Sequence, residues 1–198
     1  MDGERFLNTY HNASTPPGPD VPAQLAEFMR AADPVLAQAA ELARVVAHAH
    51  QGAATQLIGE GWAHARKYFS LSEKYAGWAD YHTPAKGVGI HAYAHTVDEP
   101  IRLTDEELRT HPEWRNFGEE VDRHPPMRGW LAVPLIGSDG KNYGFIQASD
   151  RLDGDFTDHD ESNLVRLAAL TATALDALAQ LHLPEYRAKL AQRPASGT

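Results

Sequence analysis

The chain has 198 residues and 21.8 kDa, with 42% hydrophobic and 23% charged residues, which fits one globular domain and excludes disordered or fibrous classes. Cysteine is absent, so disulfides, zinc–thiolate sites, iron–sulfur clusters, thiol nucleophiles and thioether-linked chromophores are excluded. Acidic residues outnumber basic ones 27 to 18 for a formal charge of -9, and no Lys/Arg cluster interrupts that background, so neither nucleic acid nor anionic membrane is an expected partner.

Residues 1–20 end in a Ser-Thr-Pro-Pro-Gly-Pro-Asp run that holds neither helix nor central strand, and they read as an arm. They carry no cationic, apolar leader, and no later stretch approaches 18 consecutive apolar residues. The expected location is therefore the cytoplasm. From 21 onward Leu25, Phe28, Met29, Ala32, Leu36, Ala39, Ala43 and Val46 recur at helical spacing, with a kink or break expected at Asp33-Pro34 and an end near Gly52. Segments 53–59 and 65–72, separated by Gly59-Glu60-Gly61, point to a hairpin. Gly87 and Gly89 precede a short helix at IHAYAHTV, and a strand is expected at 100–104. Thr104-Asp-Glu-Glu107 has the capping-box pattern of a helix start. Strands at 129–137 and 142–150 flank an Asp139-Gly140 turn, with Pro134 marking an edge or a bulge. Thr157 caps a long helix in which Leu164, Thr171 and Leu178 alternate with Leu167, Ala174 and Leu181 at heptad spacing. That seam serves either a homodimer or the domain's own core. The order of elements is that of an α+β domain with an antiparallel sheet, spanning 21–185 and followed by a tail at 186–198.

The run Gly129-Trp-Leu-Ala-Val-Pro-Leu-Ile-Gly, Asp139-Gly-Lys, Tyr143-Gly-Phe-Ile-Gln-Ala-Ser-Asp, then Gly154-Asp-Phe-Thr-Asp-His-Asp and the leucine-rich helix, resembles the C-terminal half of a GAF domain. The resemblance extends upstream through Lys86-Gly-Val-Gly-Ile-His and Glu99-Pro-Ile-Arg-Leu-Thr, and covers roughly 34–182. It implies a six-stranded antiparallel sheet with the terminal helices on one face and a ligand pocket on the other. It also implies a proline bulge inside the sheet rather than an edge, and a sensory or regulatory role, here expected as a stand-alone protein. The Asn-Lys-Phe-Asp-Glu set of the cyclic-nucleotide type is absent. The bilin-binding and methionine-sulfoxide-reducing types usually need a cysteine, which this chain lacks.

Candidate site residues concentrate in 75–118. His91 and His95, four apart on a short helix, share a face and are both placed to address a pocket. His82 competes with them as a ligand. Lys86-Gly87 and Gly89 offer a cation and backbone N–H groups to an anionic ligand, or simply a tight turn. Trp78, Tyr81, Tyr93, Trp114 and Phe117 supply aromatic surface suited to a planar molecule, although most aromatics serve the core. The main expectation is a small-molecule ligand of unspecified identity. The alternative is a b-type haem ligated by His91, His95 or His82 in a gas sensor or small haem enzyme. A third reading is a helical scaffold with a vestigial pocket. His111 and His124, both before prolines, read as surface turns or as cover for the pocket mouth, and His48-Ala49-His50 as a helix end. No GxSxG elbow supports a triad hydrolase.

Overall fold

The computed structural model describes residues 21–57, 66–78, 89–115 and 124–185. The elements run α1 (Ala23–Val46), β1 (Ala49–Gln56), β2 (Arg66–Leu71), a 3-10 helix (Glu73–Trp78), α2 (Ile90–Thr96), β3 (Ile101–Leu103), α3 (Asp105–Thr110), β4 (Trp130–Ile136), β5 (Asn142–Arg151) and α4 (Asp158–His182). The strands form one antiparallel sheet in the order β2-β1-β5-β4-β3. Five strands, not six, are present among the described residues. The sequence itself offers five strand-like segments, and the sixth rested on the family resemblance alone. Between β2 and β3 the described residues are helical.

The helix α1 is continuous through Pro34. Asp33 does not cap a second helix: its carboxylate accepts hydrogen bonds from Tyr68 Oη (2.6 Å) and from the Arg66 guanidinium, two residues of β2. The expected break is absent because the residue best suited to start a new helix is spent on the sheet, and one proline forfeits only one ladder bond. The helix ends six residues earlier than Gly52. His48 takes φ 50° and turns the chain, so His50 and Gly52 lie in β1 rather than at a helix end. A Cβ on Gly52 would stand 2.3 Å from the Ala40 carbonyl oxygen, so glycine here lets α1 lie directly on β1.

Both capping boxes form. Thr104 accepts from Glu107 N (3.2 Å) and returns its own N–H to the Glu107 carboxylate (2.8 Å). Thr157 and Asp160 do the same at the start of α4. The Asp139-Gly140 hairpin joins β4 to β5, and Pro134 sits at a register shift, beyond the three β4 residues that pair with β3.

Helices α1 and α4 pack together on one face. The core there joins Phe28, Leu36 and Ala43 of α1 to Leu131, Val133 and Leu135 of β4, Ile146 of β5, and Leu164, Ala168 and Leu175 of α4. Leu164 and Thr171 of the heptad seam are buried in this core, and Leu167 and Leu178 pack against its rim. Contrary to the expectation from apolar runs, α4 is long and apolar enough, by length and composition, to cross a bilayer. Its apolar side closes onto α1 and the sheet instead. On the opposite face a smaller cluster gathers Trp130, Ala132 and Phe145 of the sheet under Ile90 and Ala94 of α2, Leu108 of α3 and Met127.

Candidate functional site

Strand alternation decides which side chains stand on the face away from α1 and α4. In β2, Arg66 and Tyr68 point toward α1, where Arg66 also donates to the Met29 carbonyl oxygen (2.7 Å). Lys67 and Phe69 therefore point the other way. Cross-strand pairing continues the pattern. Lys67 is opposite Thr55, and Thr55 is opposite Phe145. One step along, Phe69, Ala53, Gln147 and Ala132 form the next row, and Ser149 and Trp130 belong to the one after.

The helix α2 lies over this surface and delivers His91. Its ring stacks on Phe145 (6.1 Å between centroids, 19° between planes) and meets Trp130 edge-on at 5.7 Å. Lys67 Nζ stands 3.5 Å from His91 Nε2 and 4.7 Å from the Phe69 ring centre. Gln147 Oε1 accepts from Trp130 Nε1 (3.2 Å), which fixes the amide on the same face. His124 completes the group from the segment before β4. It is buried, with Nδ1 2.6 Å from the Pro125 carbonyl oxygen, and it lines a small cleft with Gln51, Phe69, Met127, Gln147 and Ser149.

Burial sets the electrostatics. Removal from water lowers the Lys67 amine to about 7. Burial, then the nearby Lys67 charge and His124, push His91 well below the usual imidazole value, and the bond to Gln147 only partly opposes them. Burial followed by Lys67 brings His124 down to about 3. At neutral pH both imidazoles are uncharged and the amine is poised between its two forms. No carboxylate pairs with Lys67 among the described residues, and no group of three metal-ligating side chains occurs among them. The Thr55 hydroxyl, 2% exposed on the same face, has no hydrogen-bond partner among the described residues.

Of the residues singled out in the sequence, His91 is at the centre of this group. Trp114 packs beside it against the Trp130–Phe145 cluster. His95 lies one turn further along α2, partly buried, with burial lowering its basicity and Asp98 opposing that effect. It is not brought to Lys67. Tyr93 stands on the outer side of α2, where its ring meets His111 at 5.0 Å. Trp78 packs edge-on against Tyr75 (5.5 Å) at the sheet end. His82, Tyr81, Lys86, Gly87 and Phe117 lie outside the described residues. Lys67, Thr55 and Gln147 were missed, and His124, read as a surface turn or as cover for the pocket mouth, is buried beside them. Lys67 carried a signal in retrospect: within Arg66-Lys-Tyr-Phe-Ser-Leu71 it shares a face with Phe69 and Leu71, an apolar side where a lysine is out of place.

A second polar group sits at the far end of the sheet. Asp150, with φ 54°, accepts from Lys74 Nζ (2.6 Å) and from the Tyr75 hydroxyl, and His50 Nδ1 lies 2.8 Å from Ser72 Oγ. Burial and then the bond to Asp150 raise the Tyr75 phenol, so it stays a donor. Both bonds fall on Asp150 Oδ2, and the group holds the 3-10 helix onto β1 and β5.

A family model described as a GAF domain matches residues 25–176. Among solved structures, the fold is similar to the GAF domain of an Acinetobacter phosphoenolpyruvate-protein phosphotransferase (TM-score 0.51, 16% identity, covering 81% of this chain and 97% of that one). It is also similar to free methionine-R-sulfoxide reductase from Neisseria meningitidis in complex with its substrate (0.52, 16%, covering 80% and 91%). A third is the GAF domain of the cyanobacteriochrome TePixJ (0.54, 13%, covering 71% and 86%). At these identities the likeness is one of fold. By sequence, no curated relative matches.

Proposed function

Since this chain belongs to the GAF-domain family, we propose that it is a sensory or regulatory protein that binds a small molecule on the open face of its sheet, at Lys67, His91, His124 and Gln147. The observation that carries the reading is the placement of an amine and two uncharged imidazoles on an aromatic floor, away from the α1–α4 core. Folding does not require such a group. An apolar side chain at position 67 would fill the space without removing an amine from water, so the polar atoms are retained at a cost in stability. The Neisseria reductase acts on free methionine-R-sulfoxide, and this chain has no cysteine with which to do thiol chemistry, so binding rather than sulfoxide reduction is the activity proposed.

The arrangement lends no support to a haem iron on His91. Nε2 faces the Lys67 amine, and the ring is held between Phe145 and Trp130, so a macrocycle would have to displace both. A visible absorption spectrum of purified protein supplied with haem decides this: the expected result is no shifted Soret band, and a His91-dependent band would restore the alternative. The proposal itself is tested by a thermal-shift screen of small metabolites on wild type and Lys67→Met. Compounds that stabilise the wild type and not the variant are expected. Hits insensitive to Lys67, His91 and His124 substitutions would move the ligand elsewhere.

Dimerisation belongs to the same proposal. Leu170, 71% exposed on the outer side of α4, is the apolar position we propose for contact with a second copy.

A further inference from the structure

The chemistry of the Lys67 site specifies its ligand more narrowly, on the premise that the open face is the binding surface. Among the described residues Lys67 is a cation without a carboxylate, and Thr55, its direct cross-strand partner, holds a buried hydroxyl with no hydrogen-bond partner. A polar atom left unsatisfied in a native interior calls for a missing partner. Here the missing partner must accept hydrogen bonds, because an ammonium has only donors and a threonine hydroxyl has one to give. It must also lie against Phe69, Phe145 and the cleft lined by Met127 and Gln147. The apolar floor demands an apolar body, and the single amine matches a single negative charge. A phosphate, with two charges and four oxygens, would be short of donors.

We propose that the site takes a small organic carboxylate carried on a flat apolar body, with Lys67 as its counter-ion and the Thr55 hydroxyl as a second donor.

Binding then takes up protons, because an anion beside the amine favours its charged form. The titratable groups facing Lys67 are His91 from α2 and His124 from the segment before β4. Thr55 of β1 and Phe145 and Gln147 of β5 do not titrate, and Arg66 is turned to α1. With Lys67 at about 7 and burial holding both imidazoles far too weakly basic to protonate near neutrality, the uptake comes from Lys67. It should be a fraction of a proton at pH 7, approach one at pH 8.5, and vanish below pH 6, where the amine is already charged.

The test is calorimetric titration of the full chain with benzoate, phenylacetate and indole-3-carboxylate, each beside its carboxamide, in two buffers of different ionisation enthalpy. At least one acid should bind tenfold or more tightly than its amide, with the proton uptake above. Lys67→Met should abolish that preference, and Thr55→Val should weaken the acid severalfold, both variants retaining the wild-type circular dichroism. Acid and amide binding equally, with Lys67→Met indifferent, would overturn the carboxylate assignment and leave the small-molecule site standing. Binding of neither series to the folded wild type would overturn the assignment together with the site beneath it.

Discussion

Three residues of the sheet, Lys67 of β2 and Phe145 and Gly144 of β5, bear on stability in different ways. Lys67 is the one whose removal should stabilise. Its amine titrates at about 7 in the fold and 10.5 when exposed, so between those values the unfolded chain binds more protons and stability rises with pH. Below pH 7 the penalty is constant. Lys67→Met should therefore melt higher than wild type at pH 7, with the gap narrowing by pH 9, as thermal unfolding at the two pH values would show. A variant no more stable than wild type would mean that the amine remains hydrated. Phe145 behaves oppositely: it is 1% exposed and carries both Trp130 and His91, so Phe145→Ala should cost about 3–5 kcal/mol in chemical denaturation. Gly144 admits no substitution. At φ 131°, a Cβ would come within 1.9 Å of the Thr55 carbonyl oxygen, and Gly144→Ala should fail to give the native near-ultraviolet circular dichroism.

At the scale of elements, the start of α4 is the most connected joint. Asp160, 1% exposed, accepts from Arg151 Nε (2.8 Å) and from Thr157 N and Oγ1 (2.9 and 2.7 Å), and faces His48 Nδ1 at 3.3 Å. It thus ties the helix to the end of β5 and to the turn between α1 and β1. Burial raises its carboxyl, but the bonds from Thr157, Arg151 and His48 together outweigh that and hold it at about 2. A depressed carboxyl contributes stability above its unfolded value, near 4, and loses it as pH falls toward 2. Asp160→Asn should cost about 1–3 kcal/mol at pH 7, as expected for buried donors deprived of a charged acceptor, and the difference from wild type should shrink in denaturation at pH 3. A difference unchanged at pH 3 would place the effect in packing.

For the whole molecule, the open issue is what covers the outer side of α4. The inward half of the heptad pattern is used within the monomer, since Leu164 and Thr171 are core residues, so Leu178→Glu would injure the fold as well as any interface. Leu170→Glu is the discriminating variant. Sedimentation velocity at micromolar concentration should show a dimer for wild type and a monomer for Leu170→Glu, with unchanged melting at low concentration. A monomeric wild type would remove the second copy from the proposed function. Restricting the exchange to Leu170 keeps the sheet face untouched, so ligand binding measured on the same variant shows whether the two surfaces act independently.

The elements that depend on local chemistry were legible in the residues alone. The capped starts at Thr104 and Thr157, the Asp139-Gly140 hairpin and the helix carrying His91 each rest on interactions within a few residues. The helical middle of the chain was singled out for His91, which the structure places against Phe145 and Trp130. The partners of His91 were not, because Lys67, Thr55 and Gln147 come from three strands and meet only once register has fixed which side of the sheet each side chain takes. A one-residue shift would turn Lys67 to the α1 side. His124 looked like a turn residue before proline, and only the sheet beneath it makes it buried. Asp33 and Pro34 looked like a helix boundary, and a carboxylate committed to Arg66 and Tyr68 made them the middle of one. The sequence by itself determined the capped helix starts and the tight hairpin turn, since those signals act over one helical turn or one hairpin. The tertiary structure decided which polar atoms are brought together on the sheet face, because burial and cross-strand neighbours are properties of the folded chain alone.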